Sequence, residues 1–357
     1  MKKTTTIFKM KIFQITGLFL LAICTANAQE TAATATPATT FAGSADFYYK
    51  YDFAEIDNSY TSFTHSQDSF EIGMASIEAS HKLGKASVFV DLGFGTRASE
   101  FTYNDAPTSF MIKQLYVTYD FTPKFKVIAG SFATHIGFEL LDAVDNKNYS
   151  MSYAFTNGPF FNTGVKAQYT SGKYSFMGGI TNPTDFKTAG EAGSKQKTFI
   201  GQIGYVVDSG SAYLNFTSGS NNPASEKNKT QFDFVGTKKI NSKLTLSFNG
   251  TYAMVTDDND SDLDANWFSL VGYASYTLKG KWSLAYRLEY FDDSDGAIFG
   301  AMPSIIGNTL SFNYKEGNFT FIPEIRFDSA SEDIFSKKDG SATGSSAYIL
   351  VGTSYSF

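Results

Sequence analysis

The chain of 357 residues has a single cysteine, Cys24, so no internal disulfide framework can be built. Its three histidines, His65, His81 and His135, are scattered and give neither a metal pair nor a base beside a serine. A basic face for nucleic acid is missing as well. Lysine and arginine number 29 against 35 aspartates and glutamates, and four of the lysines, Lys2, Lys3, Lys9 and Lys11, crowd the first eleven residues. Without them 25 basic groups face 35 acidic ones, so no nucleic-acid partner is expected. Leu and Ala, the usual helix builders, are not abundant in proportion.

What is abundant is aromatic and small. Phe, Tyr and Trp make 16% of the chain, with 35 Phe, 21 Tyr and 30 Gly. Aromatics with Thr, Ser and Gly favour pleated structure and frequent turns, which points to an all-β protein.

The N-terminal lysines, the apolar run "GLFLLAI" and the small-residue site "ANA" before Gln29 read as a signal peptide over residues 1–28. The run is too short to cross a bilayer as a helix. A lipobox reading of "LLAIC" is opposed by bulky Ile23. Residues 29–40, "QETAATATPATT", read as an Ala/Thr-rich spacer, and residues 41–357 as the folded domain.

About sixteen segments after Ala45 alternate with period two, each near the ~10 residues that a tilted strand needs to cross a membrane. In "DFYYKYDF" Phe47, Tyr49, Tyr51 and Phe53 oppose Tyr48, Lys50 and Asp52; in "KWSLAYRLEYF" Trp282, Leu284, Tyr286, Leu288 and Tyr290 oppose Ser283, Ala285, Arg287 and Glu289. Very short connections such as "LGK", "TPK", "SGK" and "KGK" take turns with long polar ones such as "EIDNSYTSFTHSQD" and "TRASEFTYNDAPTS". Strict short-long order predicts a transmembrane up-and-down antiparallel β-barrel, with periplasmic turns and external loops. A soluble sandwich has no reason to keep it.

The last residues, "YILVGTSYSF", continue the alternation to the end of the chain. A barrel in lipid cannot leave its last strand unpaired, so this strand must close on the first, with Ile349, Val351, Tyr355 and Phe357 facing lipid. The ending resembles the aromatic C-terminal signature of Gram-negative outer-membrane proteins. That resemblance implies recognition of Tyr355 and Phe357 by the barrel-insertion machinery.

"VDLGFGTRA" (residues 90–98) and "AGSFATHIGFELLDAVDNKNYSMSYAFTNGPFFNTGVKAQY" (residues 129–169) resemble the OmpL-like barrels of the beta-barrel porin-2 family. The likeness lies in a Gly-x-Phe-x-Thr opening, "IGFE", the "NYS-S" stretch and "P-F-TGV" leading into a strand. His135 stands where Pro is common in the family and Met151 where Arg is common. The resemblance implies a porin-like channel in the outer membrane.

Motifs for other chemistry fail. "GFGTRA", residues 93–98, fits a dinucleotide fingerprint, but "SEFTYNDAP" lacks helical periodicity, so no helix N-terminus is expected and no cofactor. "DDNDSDLD", residues 257–264, has Leu263 in place of the EF-hand glycine and no closing glutamate; it reads as a solvated loop that collects divalent cations loosely.

Lys50, Asp52, Asp91, Lys166, Arg287, Glu289, Glu324 and Arg326 fall on the polar faces of their strands. So many charges suit a wide, hydrated lumen better than a tightly filled one. The segment His135–Phe160 breaks the alternation, leaves an odd strand, and carries too much apolar surface for a solvated loop. It is expected to fold inward, with "FELLDAV" forming a short helical turn and Glu139, Asp142, Asp145 and Lys147 lining the narrowest part. The function expected is passive diffusion of small hydrophilic solutes, without enzymatic chemistry. A barrel acting through its external loops in binding or adhesion is the alternative, and a homo-oligomer is left open.

Overall fold

A computed structural model describes residues 37–102, 111–189, 196–220, 227–257, 259–298 and 302–357. The expected signal peptide, Cys24, most of the spacer, Asp258 and parts of several long loops lie outside the described residues.

Sixteen antiparallel strands close into one barrel. The first half comprises β1 (Ala38–Asp52), β2 (Ser69–Leu83), β3 (Ala86–Phe94), β4 (Ile112–Thr122), β5 (Phe125–Ala133), β6 (Phe161–Ser171), β7 (Tyr174–Thr181) and β8 (Thr198–Val207). The second comprises β9 (Gly210–Ser220), β10 (Lys227–Lys239), β11 (Leu244–Asp257), β12 (Ala265–Thr277), β13 (Trp282–Asp293), β14 (Met302–Glu316), β15 (Phe319–Ala330) and, after a two-stranded ribbon of β16 (Phe335–Ser336) and β17 (Ala342–Thr343), β18 (Ser345–Ser356). β1 begins at Ala38, so the last three residues of the expected spacer belong to the wall.

Closure is made by the chain end. β18 pairs β15 on one side and β1 on the other, in the register Ser44 to Ser356 and Asp52 to Tyr348. Phe357 N–H donates to Gly43 O at 2.9 Å, and Gly43 N–H donates to Phe357 O at 3.1 Å. The ring of Phe357 and that of Tyr355 are exposed on the outer face. The last backbone groups are thus satisfied as a lipid-embedded wall requires.

The alternation sorts side chains as the pleat dictates. Phe47 is 52% exposed on the outside while Lys50 and Asp52 are fully buried on the inside. The same holds in β13, where Tyr286 and Leu288 face out and Arg287 and Glu289 are fully buried.

Seven connections are short turns and eight are longer, and they strictly alternate. In the β2–β3 turn Gly84 has a φ of 58°, in the left-handed region that glycine enters without a Cβ penalty.

Two expectations about the long connections are corrected. The β1–β2 connection, expected as a long polar external loop, turns part of itself inward, because Thr61, Ser62, Phe63 and Thr64 are buried. After "GFG" a short helix does form, α1 (Thr96–Phe101), since Arg97, Ala98 and Phe101 find buried partners that local periodicity does not reveal. At six residues, with no side-chain N-cap, it restores no dinucleotide site. Phe63, Phe101, Met151, Phe155, Phe160 and Phe161 form one apolar cluster inside the barrel. At the long-loop end, then, the lumen has a packed core rather than a wide hydrated bore.

Candidate functional site

The segment between β5 and β6 crosses this lumen. Its regular structure is slight: a 3₁₀ turn at Ala143–Asp145 and one short helix, α2 (Tyr153–Thr156), whose first turn is capped by Ser152 Oγ accepting from Phe155 N–H. "FELLDAV" therefore gives only the 3₁₀ turn at its end. Tyr149, Met151 and Tyr153 are fully buried.

Its backbone donors have no strand partner, and buried N–H groups must find one. Wall carboxylates take that role. Glu324 accepts from Tyr149 N–H at 2.8 Å and Ser150 N–H at 3.2 Å, and Glu289 accepts from Tyr153 N–H at 2.8 Å. Glu139, in the segment itself, accepts from both N–H and Oγ of Ser152 at 2.8 Å.

The segment's carbonyls are met by two wall arginines. Arg287 donates to Glu139 at 2.7 Å, to Ser150 O at 2.5 Å and to Met151 O at 3.1 Å. Arg326 donates to Met151 O at 2.7 Å, bridges both oxygens of Asp328 at 2.9 Å, and lies 3.0 Å from Glu289. A planar guanidinium can serve several acceptors at once, and an ammonium cannot do so in this geometry.

The two tyrosines complete the anchoring. Tyr149 donates its hydroxyl to Asp46, and Tyr153 donates to Asp328 at 3.0 Å. Tyr149 lies so close to β18 that a Cβ built on Gly352 would stand 2.3 Å from its ring, a distance that only glycine permits.

The expected site residues divide into groups. Arg287, Glu289, Glu324 and Arg326 hold the segment, as above. Lys50 pins the β1–β2 connection, lying 2.6 Å from Asp57 and donating to Thr64 O at 3.1 Å. Asp52 accepts from Ala54 N–H at 2.8 Å. Asp91 and Asp142 share Lys113, at 3.0 and 2.6 Å. Lys166 stands apart, its ammonium 3.8 Å from the centre of the Phe132 ring. Of the four residues expected to line the narrowest part, Glu139, Asp142 and Asp145 border one cavity, and Lys147 borders another. Glu139 is spent on Arg287 and Asp142 on Lys113, while Asp145 and Lys147 are exposed. A hydrated lumen is not what most of these charges serve: Lys50, Asp91, Arg287, Glu289 and Arg326 are held in close ion pairs, and Asp52 and Glu324 accept backbone hydrogen bonds, which leaves Lys166 apart.

Several participants are invisible to simple alternation. Lys113 would share a face with Leu115 and Val117, yet it is buried inside, because β4 bulges opposite Asp91 and Leu92 and the extra residue turns inward. Arg97 is fully buried on α1, donates to Leu141 O at 3.1 Å, and lies between the rings of Phe63 and Tyr149 at 4.9 and 5.3 Å. At the start of the segment, His135 donates from Nε2 to Phe216 O at 2.9 Å, and burial lowers its pKa to about 4, so it is neutral at pH 7.

Cavities flank the segment. One of about 240 Å³ is lined by Glu78, Gln114, His135, Asp142 and Asp145; another of about 200 Å³ lies against Phe138, Lys147, Ser247 and Tyr273. A third of about 260 Å³ lies beyond α2, against Asn157, Thr217, Lys229 and Gln231. In the Asp-rich connection after β11 the carboxylates of Asp257, Asp260 and Asp264 accept backbone N–H groups of the loop itself. Among the described residues no three His, Cys, Asp or Glu side chains converge on a metal-sized point.

A closed antiparallel barrel of sixteen strands, apolar outside and polar within, with one long connection folded across its lumen, defines a porin-like barrel of the outer membrane. The chain belongs to the family described as "Putative beta-barrel porin-2, OmpL-like", which matches residues 38–357. Similar folds include an anion-selective porin from Comamonas acidovorans, with 12% identity, a TM-score of 0.62, and coverage of 90% of this chain and 100% of that one. The trimer form of OmpT, an outer-membrane protein of Vibrio cholerae, matches with 12% identity, a TM-score of 0.61 and coverage of 90% and 100%. The outer-membrane channel DcaP of Acinetobacter baumannii matches with 12% identity, a TM-score of 0.55 and coverage of 90% and 97%. At such identities the likeness is one of fold. Comparison with curated proteins finds no match. Family and fold together point to a channel rather than an enzyme.

Proposed function

We propose that the barrel lets small hydrophilic solutes diffuse passively across the outer membrane, with residues 135–160 as the constriction. One observation carries this reading: the segment is laid across the lumen and fixed to the wall by Arg287 and Arg326, with cavities bearing polar residues at its flanks. A connection that served adhesion would present its side chains outward, whereas this one buries Tyr149, Met151 and Tyr153. Asp145 and Lys147, the exposed charges of the segment, are the residues of the expected rim that meet passing solute. In this reading the protein is exported on a cleaved signal peptide, and the insertion machinery reads Tyr355 and Phe357. A homo-oligomer fits, as in the trimer form of the Vibrio protein.

Recording from planar bilayers tests the proposal. The protein should give discrete, long-lived conductance steps in potassium chloride that scale with salt concentration. A membrane that stays silent while containing folded barrel would overturn it.

A further inference from the structure

The two ends of the barrel carry opposite charge. At the long-loop end Asp260, Asp262, Asp264, Asp295, Glu332 and Asp333 are exposed. At the other end the short turns carry lysine: Lys85 between β2 and β3, Lys124 between β4 and β5, Lys173 between β6 and β7, Lys243 between β10 and β11, and Lys279 between β12 and β13. All five are exposed, and among the described residues none has an ion-pair partner. The acids nearby are already matched, Asp120 by Lys82 at 2.8 Å and Glu316 by Lys281. The β8–β9 turn, which holds Asp208, is reached by Lys238 donating to Ser209 Oγ at 2.9 Å. Asp208 itself has no cation paired to it among the described residues, so the rim carries an excess of ammonium groups over carboxylates.

Aromatic rings fix the depth of that rim in the membrane. Tyr119 packs on Phe121 and Phe121 on Phe125 beside Lys124, at 4.9 and 5.7 Å. Tyr174 packs on Tyr205 beside Lys173 at 5.1 Å, and Trp282 on Tyr314 beside Lys279 at 4.9 Å. Exposed Tyr and Trp rings settle where hydrocarbon gives way to headgroups. Lys124, Lys173 and Lys279 lie one to three residues from these rings, and Lys85 and Lys243 adjoin Ala86 and Leu244, which pair with Tyr119 and Tyr276 across the strands, so all five are set at the headgroup end of the wall. An ammonium there is attracted to an anionic leaflet and gains little from a zwitterionic one.

We propose that the short-turn rim binds the headgroups of anionic phospholipids in the leaflet it faces, through Lys85, Lys124, Lys173, Lys243 and Lys279. The acidic opposite end repels the same lipids, so binding is polar along the barrel axis. This inference does not depend on whether the lumen conducts.

The test uses full chain isolated from membranes in an uncharged detergent and titrated with phosphatidylglycerol or phosphatidylcholine of identical acyl chains. Retained lipid is read by native mass spectrometry. Phosphatidylglycerol should be retained several-fold more than phosphatidylcholine, and the excess should shrink as salt rises. The five-fold variant K85Q/K124Q/K173Q/K243Q/K279Q should retain both lipids equally, and its all-arginine counterpart should keep the preference; heat-modifiable migration verifies that both are folded. Equal retention by the native protein, or a preference surviving in the glutamine variant, would overturn the proposal. Displacement of the lipid by millimolar inorganic phosphate would also overturn it, by assigning the rim to soluble anions.

Discussion

Arg287 and Glu139 meet 2.7 Å apart in the middle of the barrel, one from β13 and the other from the crossing segment, both withdrawn from solvent. Removing one partner of such a pair leaves the other charge buried, which typically costs about 3–5 kcal/mol. R287A should therefore release residues 139–151 while the hydrogen-bonded wall still closes. Limited proteolysis of folded protein should show new cleavage within that stretch. R287K should fall between, because an ammonium cannot replace the fork that reaches Glu139, Ser150 O and Met151 O together. Equal resistance in all three proteins would count against the arginine as an anchor.

Lys113 is a second, separate anchor. Taking its charge away in K113M leaves Asp91 and Asp142 without their shared cation. Hydrogen exchange should quicken around residues 139–146 and change little at Tyr153, which the β13 and β15 carboxylates hold. Faster exchange throughout the segment would mean that it moves as one unit.

Phe357 closes the barrel edge, its backbone bonded to Gly43 and its ring outside. F357D puts a carboxylate where lipid is expected. The amount of assembled, heat-modifiable protein in the outer membrane should drop several-fold, with export unaltered. Normal assembly would argue against a lipid-facing terminus.

His135 makes the segment's contact with β9 sensitive to acid. Its pKa, lowered by burial to about 4, lies below the ordinary value of about 6.5. The stability it contributes is thus present above pH 6.5 and lost as pH falls toward 4. Thermal unfolding in detergent at pH 7.5 and 4.5 should show a loss of the order of a few degrees that shrinks in H135Q. An identical loss in both proteins would assign the acid sensitivity to other groups.

The wall of this protein was legible in its sequence, because a strand with one face toward lipid and the other toward a polar interior writes its register as alternation, and Phe47 against Lys50 or Tyr286 against Arg287 is enough to orient it. Turn parity then supplied the closure. The interior was not legible in the same way. Lys113 lies behind a bulge that reverses the alternation for one residue, and α1 exists because Phe101 packs against Phe160 and Phe161, which lie about sixty residues away in the chain. The inward-facing charges could be listed from the pattern, but their mates could not. Arg287 finds Glu139, and Arg326 finds Met151 O, only once the segment is folded across the lumen. The expectation of a hydrated bore went astray there, by counting charges without the loop that pairs them.

The role proposed for residues 135–160 is to narrow a conducting lumen. The most direct measurement is the single-channel conductance of a variant lacking residues 138–149 beside that of the native protein, each shown to be assembled by heat-modifiable migration. The deletion removes Glu139, the 3₁₀ turn and Tyr149, and the account predicts a larger conductance through an intact barrel. Unchanged conductance would place the segment outside the solute path and contradict it.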